Sequence, residues 1–275
     1  MSARVSWISI TPVKGMRISE VDAVDVTPEG VAGDRCFFLA GPDGAMVNGK
    51  RHGSLQQITP TLDLRARRLG LAFPDGSRIE DEVRLGDPEA VSFFGNPETA
   101  RPVSGDFSAA VSDHVGHRLR LMATPPSRGG VDRGRWGAVS LLGAASLDRL
   151  RQSALRFSQA DDDRSSRAAD PGPIDARRFR MTFGVEGTTA YAEDGWVGGL
   201  VRIGAVKVKL NGHAGRCAVT TRDPESGRTD LKTLHFLEFS RAEVESHERL
   251  PFGVYGEVVE PGPVRLGDPV EPLGS

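Results

Sequence analysis

Short segments in which apolar and polar residues alternate, separated by tight turns, constrain this chain more than any other feature. Val206, Val208 and Leu210 alternate with Lys207 and Lys209, so this segment is predicted to have one buried and one solvated face. A Pro-Asp-Gly turn at residues 74–76 interrupts another such segment. The chain holds 33 glycines and 18 prolines in 275 residues, enough for many turns. The pattern predicts a mainly β protein with some α-helix, in the α+β class.

Three further segments are predicted to form strands. VSWISITPV near the start reads as an opening strand, and RCFFLAGPDGAMV reads as a hairpin that turns at residues 41–44. Leu62, Leu64 and Ala66 alternate with polar residues and are expected to lie on one face of a strand.

Two segments are predicted to be helices. DFSAAVSDHVG places apolar residues on one face and can end at Gly116. ASLDRLRQSAL is expected to start with Ser146 as its N-cap and to turn Leu147, Leu150 and Leu155 inward. The polar stretch at residues 158–178 follows, and its composition favours a solvated loop over a substrate lid.

Composition excludes several classes of function. The net charge of −2 gives no sign of general nucleic-acid or membrane-surface binding. Two cysteines cannot form a disulfide framework or supply the four ligands of a typical iron–sulfur cluster, and they favour a reducing compartment. No apolar run reaches signal-peptide or membrane-spanning length, so a soluble, cytoplasmic protein is expected.

Cys217 is the residue with the most chemical potential. Arg216 precedes it and can favour the thiolate, which is both the nucleophilic form and a soft metal ligand. The alternative is a buried cysteine acting as a small apolar residue, which is also the interpretation for Cys36. His213 lies four residues earlier, so a zinc pair, or a thiol enzyme with Asp223 as the orienting acid, stays open.

Several cations stand at turns where an anion could bind. Lys14 lies at a strand end in PVKG, and Arg35 follows a glycine-aspartate step in GDR. The segment SRGGVDRGRWG sets Arg128, Arg133 and Arg135 among glycines, which suits phosphate oxygens but equally a flexible basic loop.

These motifs occur together in a recognisable order. ITPVKG, GDRCFFL, LLGAASL, RFR, YAEDGWVGGLVRIGAVKVKL, GRCAVTTRDPESG and VRLGDPVEPL extend over almost the whole chain. The chain resembles the two-domain MOSC family, named for the molybdenum cofactor sulfurase C-terminal domain, and most closely its amidoxime-reducing branch with its bacterial relatives. The resemblance implies a β-barrel-like MOSC N-terminal domain at residues 1–122. A MOSC β-barrel with a few short helices would follow at residues 123–275.

The resemblance also implies a molybdenum–pterin cofactor held between the two domains. Cys217 would supply the protein thiolate on molybdenum, and the other sulfurs would come from the pterin dithiolene. The cationic positions would contact phosphate and other anionic parts of the cofactor. Nine positions match family contacts to the cofactor: Lys14, Gly15, Arg35, Gly137, Arg180, Gly215, Arg216, Cys217 and Tyr255.

The sequence departs from the family pattern at three places. Gly15 stands where serine is frequent after the lysine. Met181 and Thr182 stand where the family commonly has proline and asparagine, which removes an amide. Trp136 and Gly137 replace a small polar pair. These departures bear on the pterin contacts and on the substrate pocket.

The function implied by the resemblance is reduction of small N-hydroxylated compounds. Because the chain has too few cysteines for its own four-cysteine cluster, electrons are expected from a separate flavin or iron–sulfur reductase. No nucleic-acid or membrane partner is expected. The alternatives are a sulfur or cofactor carrier with a persulfide on Cys217, a metal-free thiol enzyme, and a small-anion-binding module.

Overall fold

A computed structural model describes residues 2–125, 133–160 and 172–274. The described part is mainly β with three α-helices, which confirms the predicted α+β class. The strands are β1 Arg4–Ile10, β2 Ser19–Glu20, β3 Ala23–Thr27, β4 Gly30–Val31, β5 Phe37–Ala40, β6 Met46–Val47, β7 Thr59–Asp63, β8 Arg68–Ala72, β9 Arg78–Glu82, β10 Glu89–Phe93, β11 Asn96–Pro102, β12 Arg120–Ala123, β13 Val139–Gly143, β14 Phe183–Glu186, β15 Leu200–Ile203, β16 Val206–Gly215, β17 Pro251–Glu260, β18 Gly262–Arg265 and β19 Val270–Pro272. The helices are α1 Phe107–Val115, α2 Ala144–Ala160 and α3 Thr233–Arg241.

The largest sheet has eight strands in the order β19-β15-β16-β17-β13-β14-β1-β2. Most neighbours are antiparallel, but β13 and β14 run parallel. Strand β1, at the start of the chain, pairs with β14, which follows it by more than 170 residues. Alternate residues of the sheet face a common apolar core, as the period of two predicts for Val206, Val208 and Leu210, all fully buried.

The N-terminal part of the chain, residues 2–125, builds a second core. Strands β10-β11-β12-β5-β6 form one sheet and β7-β8-β9 another. Phe37, Leu39, Leu69, Leu121 and Phe107 of α1 pack between them. A third small sheet, β18-β3-β4, ties β18 near the C-terminus back to the N-terminal part.

The predicted strands hold in part. The opening strand and the β5–β6 hairpin are confirmed, and the hairpin turns over residues 41–44. The predicted alternation of Leu62, Leu64 and Ala66 is wrong beyond β7. The Asp63 carboxylate accepts hydrogen bonds from the amides of Arg65 and Ala66, which ends the strand in a turn, and Leu64 is 53% exposed.

The predicted helices are also confirmed with one correction. Helix α1 ends at Gly116 in a left-handed conformation, as expected. Helix α2 starts at Ala144, so Ser146 lies inside it and is not its N-cap. The Ser146 hydroxyl instead donates to the buried carboxylate of Glu193 (2.8 Å). Leu147 and Leu150 are buried and Leu155 is half-buried. The loop predicted from residue 158 starts later, because α2 continues to Ala160, and residues 161–171 of that loop lie outside the described residues.

One loop of the C-terminal part, residues 222–227, contacts the N-terminal part closely; we call these contacts the clasp. Arg222 donates to the carbonyl of Lys50 (3.0 Å), and Gln57 donates to the carbonyl of Ser226 (2.9 Å). A Cβ atom added to Gly227 would lie 1.8 Å from the Gly53 carbonyl oxygen, so only glycine permits this approach. The clasp fixes the segment at residues 48–57 against the C-terminal part.

No α-helix in the described residues is long and apolar enough to cross a membrane.

Candidate functional site

A cavity of about 440 Å³ opens where the N-terminal part meets the C-terminal part. Both parts contribute to its walls. Eight of the nine residues predicted to contact a cofactor border this one cavity: Lys14, Gly15, Arg35, Arg180, Gly215, Arg216, Cys217 and Tyr255. They come from positions up to 241 residues apart, because the eight-stranded sheet and the clasp bring distant segments together.

Cys217 lies just past the end of β16 and directly before a 3-10 helix, Ala218–Thr221. Its carbonyl accepts hydrogen bonds from both the amide and the hydroxyl of Thr220 (3.0 Å each). These bonds anchor the backbone while the side chain is half-buried at the cavity wall. The thiol is free, so it can act as a ligand or as a nucleophile.

Arg216 points into the protein beside the cavity. Its guanidinium donates to the carbonyls of Phe252 (2.8 Å) and Phe179 (2.9 Å). Burial lowers the pKa of this guanidinium. Through the hydrogen bond to Phe252, Arg216 joins the end of β16 to the start of β17. Its guanidinium also adds positive charge to the cavity wall.

Arg35 is held by a buried ion pair with the preceding residue, Asp34. Asp34 and Arg35 are 3% and 6% exposed, and the second Asp34 oxygen accepts from the amide of Thr11 (2.8 Å). Burial raises the pKa of the Asp34 carboxyl, while the Arg35 charge opposes that rise. The pair therefore places a cation at the cavity at the cost of desolvating two charges.

Arg35 and Arg180 share an unusual backbone conformation. Their φ angles are 49° and 54°, in the left-handed region that costs energy for residues with a side chain. Arg35 donates to the Arg180 carbonyl (2.8 Å), and Arg180 donates to the Met16 carbonyl (2.9 Å). The fold holds two strained cations together at one wall, an arrangement typical of a binding site.

Lys14 and Gly15 form the turn after β1. The Lys14 amide donates to the carbonyl of Phe37 (2.8 Å). Gly15 has φ of 90°, and a Cβ there would lie 3.4 Å from the amide nitrogen of Gly49. The departure from serine at position 15 is thus matched by a backbone that favours glycine.

Tyr255 of β17 borders the cavity, and Gly137 lies next to the Tyr255 ring. Gly137 does not border the cavity, so it is the one predicted contact outside its walls. A Cβ at Gly137 would lie 3.3 Å from the Tyr255 ring and 2.8 Å from the Arg133 side chain. Arg133 stacks on the Tyr255 ring at 4.3 Å and forms an ion pair with Glu248 (2.7 Å).

The second departure, Thr182, is buried beneath the cavity wall. The Thr182 hydroxyl lies 3.2 Å from the Ser140 hydroxyl, and the Thr182 backbone amide donates to the Ser140 hydroxyl oxygen (3.0 Å). Ser140 borders the cavity, as does Met181. The lost amide of the family pattern is therefore replaced by a hydroxyl pair that joins β13 to the segment before β14.

Some residues of the cavity were not found by sequence reasoning. The most prominent are Asn48, Gly49 and Lys50, in the turn held by the clasp, and Phe94, at the tip of the β10–β11 hairpin. The Asn-Gly-Lys triplet signals a turn, but no local pattern indicates that this turn lies beside Cys217.

The cavity is strongly cationic. Six of its described lining residues carry positive charge, and none is an aspartate or a glutamate. Such a wall attracts anions, and a half-buried thiol in the same space adds a soft ligand. The six cations are Lys14, Arg35, Lys50, Arg133, Arg180 and Arg216.

The structure does not assemble the thiol-enzyme triad considered above. His213 lies 3.5 Å from Asp194 and does not border the cavity. Asp223 accepts from the amide of Ser226 (2.7 Å) inside the clasp loop. Cys217 therefore has neither of these residues beside it in the cavity.

Two other sequence-based interpretations concern metals and basic loops. Within the described ranges, no group of three or more histidine, cysteine, aspartate or glutamate side chains could hold a metal ion.

Of the three arginines in the predicted basic loop, Arg128 lies outside the described residues. Arg133 borders the cavity, and Arg135 forms an ion pair with Glu29.

Comparison with known proteins supplies relatives for both parts of the chain. Residues 2–118 match the MOSC N-terminal beta barrel domain, and residues 130–271 match the MOSC domain. The mitochondrial amidoxime reducing component 2 of Rattus norvegicus is 38% identical over 296 residues, covering 97% of this chain and 82% of the relative.

Other relatives match over shorter parts of their length. The mitochondrial amidoxime-reducing component 1 of Mus musculus is 38% identical over 108 residues, which cover 37% of this chain and 31% of that protein. The molybdenum cofactor sulfurase of Oryza sativa subsp. japonica is 24% identical over 274 residues, covering 92% of this chain but only 32% of that protein. Because the MOSC domain alone matches over half of the chain and the rat protein aligns along nearly all of it, the chain belongs to the MOSC family, with a MOSC N-terminal domain followed by a MOSC domain.

Proposed function

We propose that this protein binds the molybdenum cofactor in the cationic cavity and reduces small N-hydroxylated compounds such as amidoximes. The observation that carries the proposal is the presence of the free Cys217 thiol and several buried or half-buried cations in one cavity. The names of the rat and mouse relatives point to amidoxime reduction in those proteins.

The lining residues suit the chemistry of such a cofactor. A phosphorylated pterin brings negative charge, which Lys14, Arg35 and Arg180 would favour in a wall whose described residues include no carboxylate. Molybdenum bound by dithiolene sulfurs takes a soft protein ligand, and a thiolate is one. Gly15 and Gly215 let the segments of the wall pack closely, because a Cβ atom at either position would lie against neighbouring protein atoms.

Each group of residues has a distinct role in this proposal. Cys217 would ligate the metal, and Lys14, Arg35 and Arg180 would hold the anionic parts of the cofactor, with Tyr255 as a further contact. When bound, the cofactor supplies the two-electron redox chemistry. Arg216 and Thr220 keep the Cys217 backbone in place through their hydrogen bonds. Electrons would come from a separate flavin or iron–sulfur reductase.

The first experiment compares wild type with Cys217→Ala, both purified from a host that makes the cofactor and is supplied with molybdate. We expect near-stoichiometric molybdenum and pterin in wild type, and less than about one tenth of that molybdenum in the variant, because the soft ligand is lost. Plasma mass spectrometry and pterin fluorescence after oxidation give the two readouts. Benzamidoxime reduction with a chemical electron donor should fall in parallel.

Cys36→Ala is the matched control. Cys36 is half-buried against the N-terminal core and does not border the cavity, and desolvation raises the pKa of its thiol to about 11, so it should be neither a ligand nor a nucleophile. Full molybdenum content and activity in Cys217→Ala would contradict the proposal. A persulfide on Cys217 in a molybdenum-free wild-type protein would favour the sulfur-carrier alternative instead.

A further inference from the structure

The rim of the cavity contains two residues to which the proposed cofactor contacts give no role, Lys50 and Phe94. Both belong to the N-terminal part and both are exposed, Phe94 by 53%. The deeper side of the cavity holds Arg35, Arg180 and Arg216, each of which donates to a protein carbonyl. A compound that enters from solvent therefore meets Lys50 and Phe94 before it reaches the depth of the cavity.

The backbone at Lys50 is fixed close to the thiol segment. The Asn48 side chain accepts from the Lys50 amide (3.0 Å), and Arg222 donates to the Lys50 carbonyl (3.0 Å). A Cβ on Gly49 would lie 3.1 Å from the Val219 side chain. Val219 and Arg222 follow Cys217 by two and five residues, so the turn lies against the segment that carries the thiol.

The charge at Lys50 is not offset within the cavity wall, because the described lining residues include no aspartate or glutamate. An exposed ammonium group at the rim attracts carboxylates and phosphates and raises their local concentration. Arg133, the other exposed cation of the wall, already forms an ion pair with Glu248 (2.7 Å). Lys50 is thus the rim cation best placed to contact an anionic group of a substrate.

Phe94 supplies an apolar surface at the same rim. It occupies a two-residue turn between β10 and β11 with φ of 52°, a conformation that a bulky residue adopts only at a cost. The Lys14 ammonium lies 5.4 Å from the centre of its ring. An aromatic side chain that is both strained and exposed at a cavity mouth is placed for contact with a planar ligand.

We propose that Lys50 and Phe94 select the substrate, and that the protein prefers planar N-hydroxylated compounds that carry a carboxylate or phosphate group over neutral ones. This inference rests on the proposed function and adds the chemical class of the substrate. The anionic group would contact Lys50, and the planar part would lie against Phe94.

Calorimetric titration of the oxidised holoenzyme, with no electron donor present, tests the preference without turnover. The ligands are benzamidoxime, 4-carboxybenzamidoxime and 4-phosphonobenzamidoxime, which share one ring and differ in charge. We expect the charged ligands to bind about fivefold more tightly than benzamidoxime to wild type, the strength of one partly exposed ion pair. The two charged ligands together distinguish a carboxylate preference from a phosphate preference.

Lys50→Gln should bring the affinity for the charged ligands down to that for benzamidoxime. Lys209→Gln is the matched control, since Lys209 is exposed on β16 and does not border the cavity, and it should keep the fivefold preference. Phe94→Asn retains a residue that tolerates the left-handed turn, and it should weaken all three aryl ligands by a similar factor.

Equal affinities of wild type for the three ligands would overturn the inference, as would a preference that survives Lys50→Gln. Its failure can be separated from failure of the proposed function by one further assay. If wild type reduces benzamidoxime but shows no charge preference, only the substrate class is wrong. If wild type holds molybdenum but reduces none of the three compounds, the proposed reductase function fails, and the inference that depends on it fails as well.

Discussion

At the scale of single residues, the wall of the cavity contains a buried cation whose charge is balanced by a buried carboxylate. Arg35 would be costly to bury alone, and Asp34 supplies both its counter-charge and an acceptor for the Thr11 amide. Arg35 in turn donates to the carbonyl of Arg180, so two cations of different parts of the chain are positioned by one chain of hydrogen bonds. Removal of the single carboxylate should disturb this whole wall.

Asp34→Asn is therefore expected to lower the free energy of unfolding by about 3 kcal/mol. The asparagine oxygen can still accept from Thr11, so the loss would report the uncompensated charge on Arg35. Urea unfolding followed by circular dichroism measures the change. Asp43→Asn is the control, because Asp43 is exposed and also accepts from a backbone amide, that of Ala45 (3.0 Å). A loss in Asp34→Asn no larger than in the control would show that the ion pair contributes little.

At the scale of elements, a buried carboxylate joins β13, α2 and the 3-10 helix Ala192–Trp196. Glu193 is 1% exposed and accepts from the amide of Gly143 (3.0 Å) and from the hydroxyl of Ser146 (2.8 Å). Ser146 also accepts from the amide of Tyr191 (2.8 Å). The YAEDGW motif is thus a junction between elements.

The junction should make stability depend on pH. Burial raises the pKa of Glu193, so the folded protein retains this proton at a pH where the unfolded chain has lost it. The stabilisation from this group is complete below the unfolded pKa of about 4.3 and is lost as pH rises through the higher folded value.

Glu193→Gln keeps an acceptor but cannot titrate. The free energy of unfolding of wild type minus that of the variant should therefore fall as pH rises from about 4 towards neutrality. Urea unfolding of both proteins across this pH range gives the difference. A difference that stays constant with pH would show that burial does not govern this carboxyl.

At the scale of the whole molecule, the cavity exists because two parts of the chain are held together at its edges. The clasp joins residues 222–227 to the N-terminal part, and β1 and β18 each pair with strands of the other part. Close approach of Gly53 and Gly227 allows the clasp loop to lie directly on the turn that carries Lys50.

Gly227→Ala should lower the free energy of unfolding by about 3 kcal/mol or more, because the added methyl group would overlap the Gly53 carbonyl. Gly76→Ala is the matched control. Gly76 has a φ of 87°, also left-handed, but no atom within 4 Å of the added Cβ, so only the backbone cost of about 1 kcal/mol is expected. Equal losses in the two variants, measured by urea unfolding, would mean that the close approach does not stabilise the interface.

Local patterns in the sequence determined much of this protein. The alternation at residues 206–210, the hairpin at 41–44 and the helix end at Gly116 follow from the side-chain period and from the backbone freedom of glycine, which act between near neighbours. The ordered motifs also identified the family and pointed to eight residues that border one cavity. Ser146 was misassigned as an N-cap because its partner, Glu193, is 47 residues away.

Tertiary structure alone decided which distant segments meet. No local signal pairs β1 with β14, turns His213 towards Asp194, or brings Lys50 and Phe94 to the cavity of Cys217. Strand pairing and close glycine contacts depend on complementary surfaces that are formed by segments far apart in the chain. The backbone hydrogen bonds between strands do not depend on the side chains, so they do not specify which strands pair. The chemistry of each residue was thus readable from the sequence, whereas the set of residues that shares one cavity follows from how the chain packs.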